Sequence, residues 1–304
     1  MDILTTVTPV LVVLILGKLF SVKKILSRDA MNGIKYLVSN VMLPIVIFNA
    51  LINTTFTGKS IALSLIVYAL FTGMMFLGIA CKKVFKGHPM GAFLLGGYEG
   101  GMFGYPLYIA LYGAASLSVF MVIDLGNILF AFTFFIVLIN IYNQPDAARK
   151  KVLLDSLKSP LVILTAVAII LNVTGAAKWF LSTPVAAVYE NTVSVITNPV
   201  TAMVLLSVGY DLTFSKKLLK EVGLVCLVRL LLMGVMAVFL LTVCRGLIDS
   251  KQMVAAVILM TCLPPQFITP IFVRDGSERE YVSTMISMFS LITVIGFIIL
   301  TVFI

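Results

Sequence analysis

Ten apolar runs, each about as long as a bilayer is thick, follow one another along this chain of 304 residues. They lie near residues 4–20, 30–52, 61–81, 89–112, 115–142, 159–177, 184–210, 222–244, 252–273 and 281–304. A helix needs roughly 20 apolar residues to cross the hydrocarbon core. Backbone in lipid must satisfy its own hydrogen bonds, which leaves helices or closed barrels. Barrel strands would read as short alternating segments, whereas these runs are long and continuous. With 61% apolar and 12% charged residues, the chain reads as an all-α polytopic membrane protein of ten transmembrane helices. The first run has no basic segment before it and no small-residue cleavage site, so it is expected to be a retained helix.

The net charge of +9 does not describe a nucleic-acid partner. Sixteen of the 22 basic residues fall in the connections after runs 1, 3, 5, 7 and 9, counting Lys18 at the end of run 1, against four (Lys59, Lys178, Arg245, Lys251) in the even-numbered connections. Basic connections stay on the cytoplasmic side. The expected location is therefore the plasma membrane, multi-pass, with both termini extracytoplasmic. Lys35 and Arg229 lie inside runs near their cytoplasmic ends, where long basic side chains snorkel to the interface. The four cysteines (Cys81, Cys226, Cys244, Cys262) show no metal or redox spacing, and His88 is the single histidine, so no cofactor is expected.

The second half echoes the first. At an offset of 158, Asn40, Thr55 and Phe56 fall on Asn198, Thr213 and Phe214; at 164, Phe103 and Pro106 fall on Phe267 and Pro270. Five runs per half is an odd number, so the halves enter the membrane in opposite senses. This predicts a 5+5 inverted repeat, of the kind many transporters use. Residues 1–142 form the first repeat, 143–158 a short cytoplasmic linker, and 159–304 the second.

Runs 4 and 9 cannot be ordinary helices. Run 4 contains Gly91, Gly96, Gly97, Gly100, Gly101 and Gly104, followed by Pro106, and run 9 contains "CLPPQFITP" with Pro264, Pro265 and Pro270. Glycine costs a helix about 1 kcal/mol and proline about 3. Irregular backbone at membrane depth is tolerated where it is buried in protein or lines a cavity. Two broken crossover helices in matching members of the halves therefore predict a substrate site between them. Glu99 lies ten residues past Pro89, about 15 Å along a helical rise. Intramembrane carboxylates mark ion or proton pathways. The candidate site residues are Tyr98, Glu99, Gly101, Tyr105 and Pro106 of run 4, Asp124 and Asn127 three apart in run 5, and Pro264, Pro265 and Gln266 of run 9. Asn40 and Asn198, beside Pro44 and Pro199, complete the set.

The motifs "LPIVIF" (43–48), "FGYPLY" (103–108), "DLGN" (124–127) and "LPP" (263–265), with ten runs and outside termini, resemble the auxin efflux carrier family, including its bacterial members. The resemblance covers essentially the whole chain. It implies two crossing broken helices in a fold related to bile-acid and sodium/proton transporters, a scaffold and a mobile part, and a homodimer. Substrates would be small organic anions, from auxin-like acids to small carboxylates. Two features depart from the family pattern: the linker is short, and Glu99 stands where members often carry asparagine. The expected function is secondary active transport by alternating access, with H+ or Na+ as candidate coupling ions. The alternatives are an intramembrane lipid-modifying enzyme, for which no acid or metal cluster is seen at a membrane face, and a channel, which needs a wetted path. No enzymatic activity is expected.

Overall fold

The computed structural model describes residues 3–85, 88–143, 158–273 and 276–303. Among these residues there are helices and turns and no strand. Most of the predicted linker, residues 144–157, lies outside them. Seven helical stretches are long and apolar enough to cross a membrane: Thr5–Val22, Arg28–Ile52, Gly58–Ala80, Ala114–Ile139, Val185–Asp211, Leu219–Thr242 and Gly276–Phe303. The other three runs do not form continuous helices of that length. Run 6 is a helix of 14 residues, Pro160–Val173, followed after a left-handed Gly175 (φ 78°) by Ala176–Leu181. Runs 4 and 9 are interrupted, as their glycines and prolines require.

Local chemistry explains where elements start and bend. Thr57 and Ser60 form a reciprocal cap at the start of Gly58–Ala80: Ser60 N donates to Thr57 Oγ1 (3.2 Å) and Thr57 N to Ser60 Oγ (2.7 Å). These bonds satisfy donors that a helix start leaves orphaned. Pro44 and Pro106 each follow a π-helical turn, Val38–Met42 and Gly100–Gly104. A proline inside a helix frees a carbonyl and clashes with the preceding turn, and the wider turn absorbs both effects.

The long helices pack through small residues, as expected where lipid removes the hydrophobic drive between helices. Helix Ile3–Val22 lies along Val200–Asp211. A Cβ on Gly17 would sit 2.9 Å from Tyr210 N, and one on Gly209 would sit 2.8 Å from Leu14 C, so the two backbones touch through reciprocal glycines. Leu43–Ile52 lies along Pro160–Val173, where Asn172 Nδ2 donates to the Leu51 and Thr54 carbonyls, each at 2.7 Å. In the rest of the molecule, Gly58–Ala80 pairs with Leu117–Phe130 and Leu219–Thr242 with Gly276–Phe303. The two interrupted segments lie among these four helices.

Candidate functional site

The first interruption spans residues 95–99 and the second 263–268. The stretch ahead of the first is a 3-10 helix, Pro89–Leu94, so the α-helical rise used to place Glu99 does not apply to it. After the interruption the chain re-enters a helix through Gly100–Gly104 and Tyr105–Tyr112. In the second half, Lys251–Cys262 stops at Leu263 and resumes as the short Thr269–Phe272. The two interruptions meet directly, with Glu99 N donating to Pro264 O at 2.8 Å.

Glycines make this meeting sterically possible. Gly97 has φ +68°, a conformation that disfavours any Cβ. A Cβ there would also lie 2.8 Å from Gln266 Nε2 and 3.0 Å from Phe130 Cε1. A Cβ on Gly100 would lie 2.5 Å from Asp124 Oδ1, and one on Gly104 2.9 Å from Leu263 Cδ1. The glycine cluster is thus the space that Gln266, Asp124 and Leu263 occupy.

Glu99 caps both interruptions. Its Oε1 accepts from Met102 N (2.9 Å), at the start of the helix that runs to Tyr112, and its Oε2 accepts from Phe267 N (2.9 Å) in the second interruption. A carboxylate at a helix N-terminus satisfies orphan donors and meets the positive end of the helix dipole. Glu99 remains partly accessible, together with its neighbours Gly101, Met102, Phe267 and Ile268, whereas Tyr98, Gly100 and Gln266 are buried.

Asp124 and Asn127, on Leu117–Phe130, face the first interruption from behind and are buried. Asn127 Oδ1 accepts from Tyr98 N (3.1 Å) and its Nδ2 donates to Tyr98 O (3.0 Å) and to Asp124 Oδ1 (3.0 Å). Asp124 Oδ2 accepts from the Tyr105 hydroxyl. The side-chain amide therefore substitutes for the backbone partners that Tyr98 lost when the helix broke, in keeping with the pairing that buried backbone demands.

Arg229 does not snorkel. It is fully buried, and its guanidinium is turned into the bundle, where Nη1 donates to Leu94 O (2.7 Å) and Leu95 O (3.1 Å). Nη2 donates to Gly97 O (2.6 Å) and Leu263 O (3.2 Å). Carbonyls set free on both interruptions converge on one cation, which also lies over the Phe289 ring with its Cζ 5.1 Å from the centroid. The two terminal nitrogens of the planar fork place four donors on four carbonyls, which the point charge of lysine could not match. The signal was present in the sequence, since Arg229 is one of three basic residues inside the runs, with Lys18 and Lys35. Hydropathy gives depth along a helix and is silent on facing. Lys35 likewise has a partner: it pairs with Asp211, as does Arg28 Nη1 (2.9 Å).

Of the expected site residues, the structure gathers Tyr98, Glu99, Gly101, Tyr105, Pro106, Asp124, Asn127, Pro264, Pro265 and Gln266 at or beside the junction. Asn40 and Asn198 are placed otherwise. Asn40 Nδ2 turns back onto Tyr36 O (3.0 Å) in its own helix, and Asn198 is exposed between two helical pieces. Asn40 thus serves local backbone beside the turn that precedes Pro44. Sequence reasoning missed Arg229 and Leu263. Searched against family models and curated proteins, the chain matches none.

Proposed function

We propose that the chain is a secondary carrier of the auxin efflux carrier type, moving a small organic anion across the plasma membrane through ten spans arranged as a 5+5 inverted repeat. The observation that carries this reading is the junction of two interrupted helices on one partly accessible carboxylate. Such junctions suit a bound ion or substrate because half-helix ends present unsatisfied groups at membrane depth.

The packing supports the repeat. Helix Ile3–Val22 pairs with Val200–Asp211 while Pro160–Val173 pairs with Leu43–Ile52, so the first helix of each half lies on the second of the other. Polar clasps recur on matching acceptors: Asn172 donates to Thr54 O, and Lys18 Nζ donates to Leu212 O. Thr54 and Leu212 are 158 apart, the offset that aligns Asn40 with Asn198. These four helices form the scaffold, and the helices around the junction form the mobile part.

Glu99 holds two backbone N–H groups that a substrate carboxylate would otherwise take. An ionised Glu99 and an anion cannot share that site without strong repulsion in a poorly solvated cavity. Substrate entry is therefore linked to protonation of Glu99 or to a sodium ion beside it. Glu99→Gln keeps the shape and mimics the neutral acid. In proteoliposomes, this variant is expected to retain counterflow of a labelled small carboxylate and to lose the dependence on pH or sodium that the parent shows. Absence of saturable counterflow in the parent with a panel of mono- and dicarboxylates removes the carrier reading. Wild-type behaviour of Glu99→Gln from pH 5 to 8, with and without sodium, makes Glu99 a structural cap alone.

A further inference from the structure

One end of the molecule gathers charge that its own acids do not answer. Residues 18–35 and 211–220 carry eight basic residues against two acids, Asp29 and Asp211. The two connections are fastened to each other: Lys18 Nζ donates to Leu212 O, the Tyr210 hydroxyl donates to Leu26 O (3.1 Å), and Asp211 accepts from Arg28 (2.9 Å) and Lys35. Arg28 also lies over the Tyr210 ring, its Cζ 5.8 Å from the centroid. These contacts, at the negative end of helix Val200–Asp211, account for Lys18, Arg28 and Lys35. Lys23, Lys24, Lys216 and Lys217 are exposed and have no ion pair among the described residues.

Helix Ile3–Val22 leads straight into the first two of these lysines. It exposes Ile15, Leu16, Leu19 and Val22, at the spacings of a single face. Lys23 N still donates to Leu19 O (2.8 Å), so the turn continues and Lys23 falls beyond Leu19 on that face. Lys24 then takes a left-handed conformation, φ 53°. Glycine or asparagine suits such a helix end better, so backbone geometry does not explain the lysine. On either side of the pair, Val22 is 64% and Ile25 59% exposed. Apolar side chains in line with a membrane-facing stripe and interleaved with lysines fit the boundary between acyl chains and headgroups. Lysine stems lie along the apolar layer there, and the ammonium groups meet phosphate.

The geometry points to a binding surface for anionic phospholipid, formed by Lys23 and Lys24 with Lys216 and Lys217 and floored by Val22 and Ile25. An acidic soluble protein would answer the charge but not the apolar residues aligned with the stripe. Juxtamembrane lysines are drawn to an anionic leaflet one by one, within a Debye length of its surface. The surface belongs to the helix pair joined through Gly17 and Gly209, so bound headgroups set the depth of that pair in the bilayer. It stands independently of the transport reading and of which leaflet faces this end.

The test reconstitutes the full chain in nanodiscs of phosphatidylcholine and phosphatidylglycerol in equal parts, extracts it in neutral detergent, and counts the retained lipids by native mass spectrometry. The parent is expected to retain phosphatidylglycerol in preference. Lys23→Gln with Lys24→Gln, and Lys216→Gln with Lys217→Gln, should each lower that preference by roughly five-fold, and the four together should abolish it. Lys24→Gly relieves the left-handed residue, so it should keep or raise Tm in neutral detergent and still weaken the preference. Lys59→Gln with Lys178→Gln and Lys251→Gln, in other connections, should change nothing. An unchanged preference in the four-lysine variant overturns the proposal, and if that variant does not fold the two pairs decide. No preference in the parent also overturns it and leaves an acidic protein as the partner for this charge. Inorganic phosphate that displaces phosphatidylglycerol better than chloride at equal ionic strength makes this a site for free anions and overturns the lipid assignment.

Discussion

The two interruptions that meet at the junction are built from opposite materials. The first, residues 95–99, is made by glycines; the second, 263–268, is made by prolines. Glycine leaves every backbone donor and acceptor in place, so the first interruption needs many partners, and it has them in Asn127 for both backbone groups of Tyr98 and in Arg229 for three carbonyls. Proline deletes donors, so the second needs fewer. There Arg229 takes Leu263 O, and the Thr293 hydroxyl takes Cys262 O. The correspondence runs by position as well as by role. Cys262 lies 164 residues beyond Tyr98 and Leu263 lies 164 beyond Glu99; Asn127 grips Tyr98 within the first interruption and Thr293 grips Cys262 just ahead of the second. The acid does not recur, since the position 164 residues beyond Glu99 is Leu263, and the cation at the junction, Arg229, comes from the second half.

The largest expected effect breaks both sides at once. Arg229→Leu leaves four carbonyls without their partner and should cost about 3–5 kcal/mol, the range for breaking a buried charged network. A melt followed by size-exclusion chromatography should show loss of the monodisperse species. Arg229→Lys should recover part of it, because one ammonium cannot reach all four carbonyls in fork geometry. Equal stability of Arg229→Leu and wild type would mean that the interruptions hold each other without the cation.

An intermediate effect separates the materials. Gly97→Ala forces a Cβ into a left-handed position and against Gln266, at about 2–4 kcal/mol. Pro265→Ala restores a donor and some backbone freedom, and should cost under about 1 kcal/mol. Parallel thermal melts should rank Gly97→Ala well below Pro265→Ala; the reverse order would place the rigidity of the junction on its proline side.

The smallest effect tests the matched grips. Asn127→Ala removes partners from two backbone groups and should cost about 2 kcal/mol, against about 1 kcal/mol for Thr293→Val, which removes one. Hydrogen exchange at the Tyr98 amide is expected to rise in Asn127→Ala and stay unchanged in Thr293→Val.

Much of this arrangement was legible from residue types. Hydropathy located the long helices because lipid-facing and core-facing surfaces are both apolar, and Gly and Pro clusters located the interruptions because those residues disrupt helices wherever they occur. Glu99 stood out because an acid in an apolar run is costly. What stayed hidden was direction. The position of Arg229 fixes its depth, but whether a guanidinium reaches outward to the interface or inward to free carbonyls depends on which helix lies beside it. Asn40 and Asn198 misled for a related reason: asparagine beside proline serves a local turn as readily as a ligand, and spacing does not distinguish the two. The 3-10 geometry of Pro89–Leu94 was also not readable, since the partner of its last carbonyl, Arg229, lies on a helix more than a hundred residues away.

The reciprocal contact of Gly17 with Gly209 has a mechanical consequence. Where two backbones touch with no side chain between them, there is no rotamer to adjust and no soft layer to shear. Sliding helix Ile3–Val22 by one turn, about 5.4 Å, would bring Val13 or Ser21 opposite a slot that admits only a hydrogen. The pair can tilt as one plank but cannot change register. Any large displacement in this molecule must therefore be borne at seams lined by longer side chains, and this helix pair supplies the fixed reference against which it would be measured.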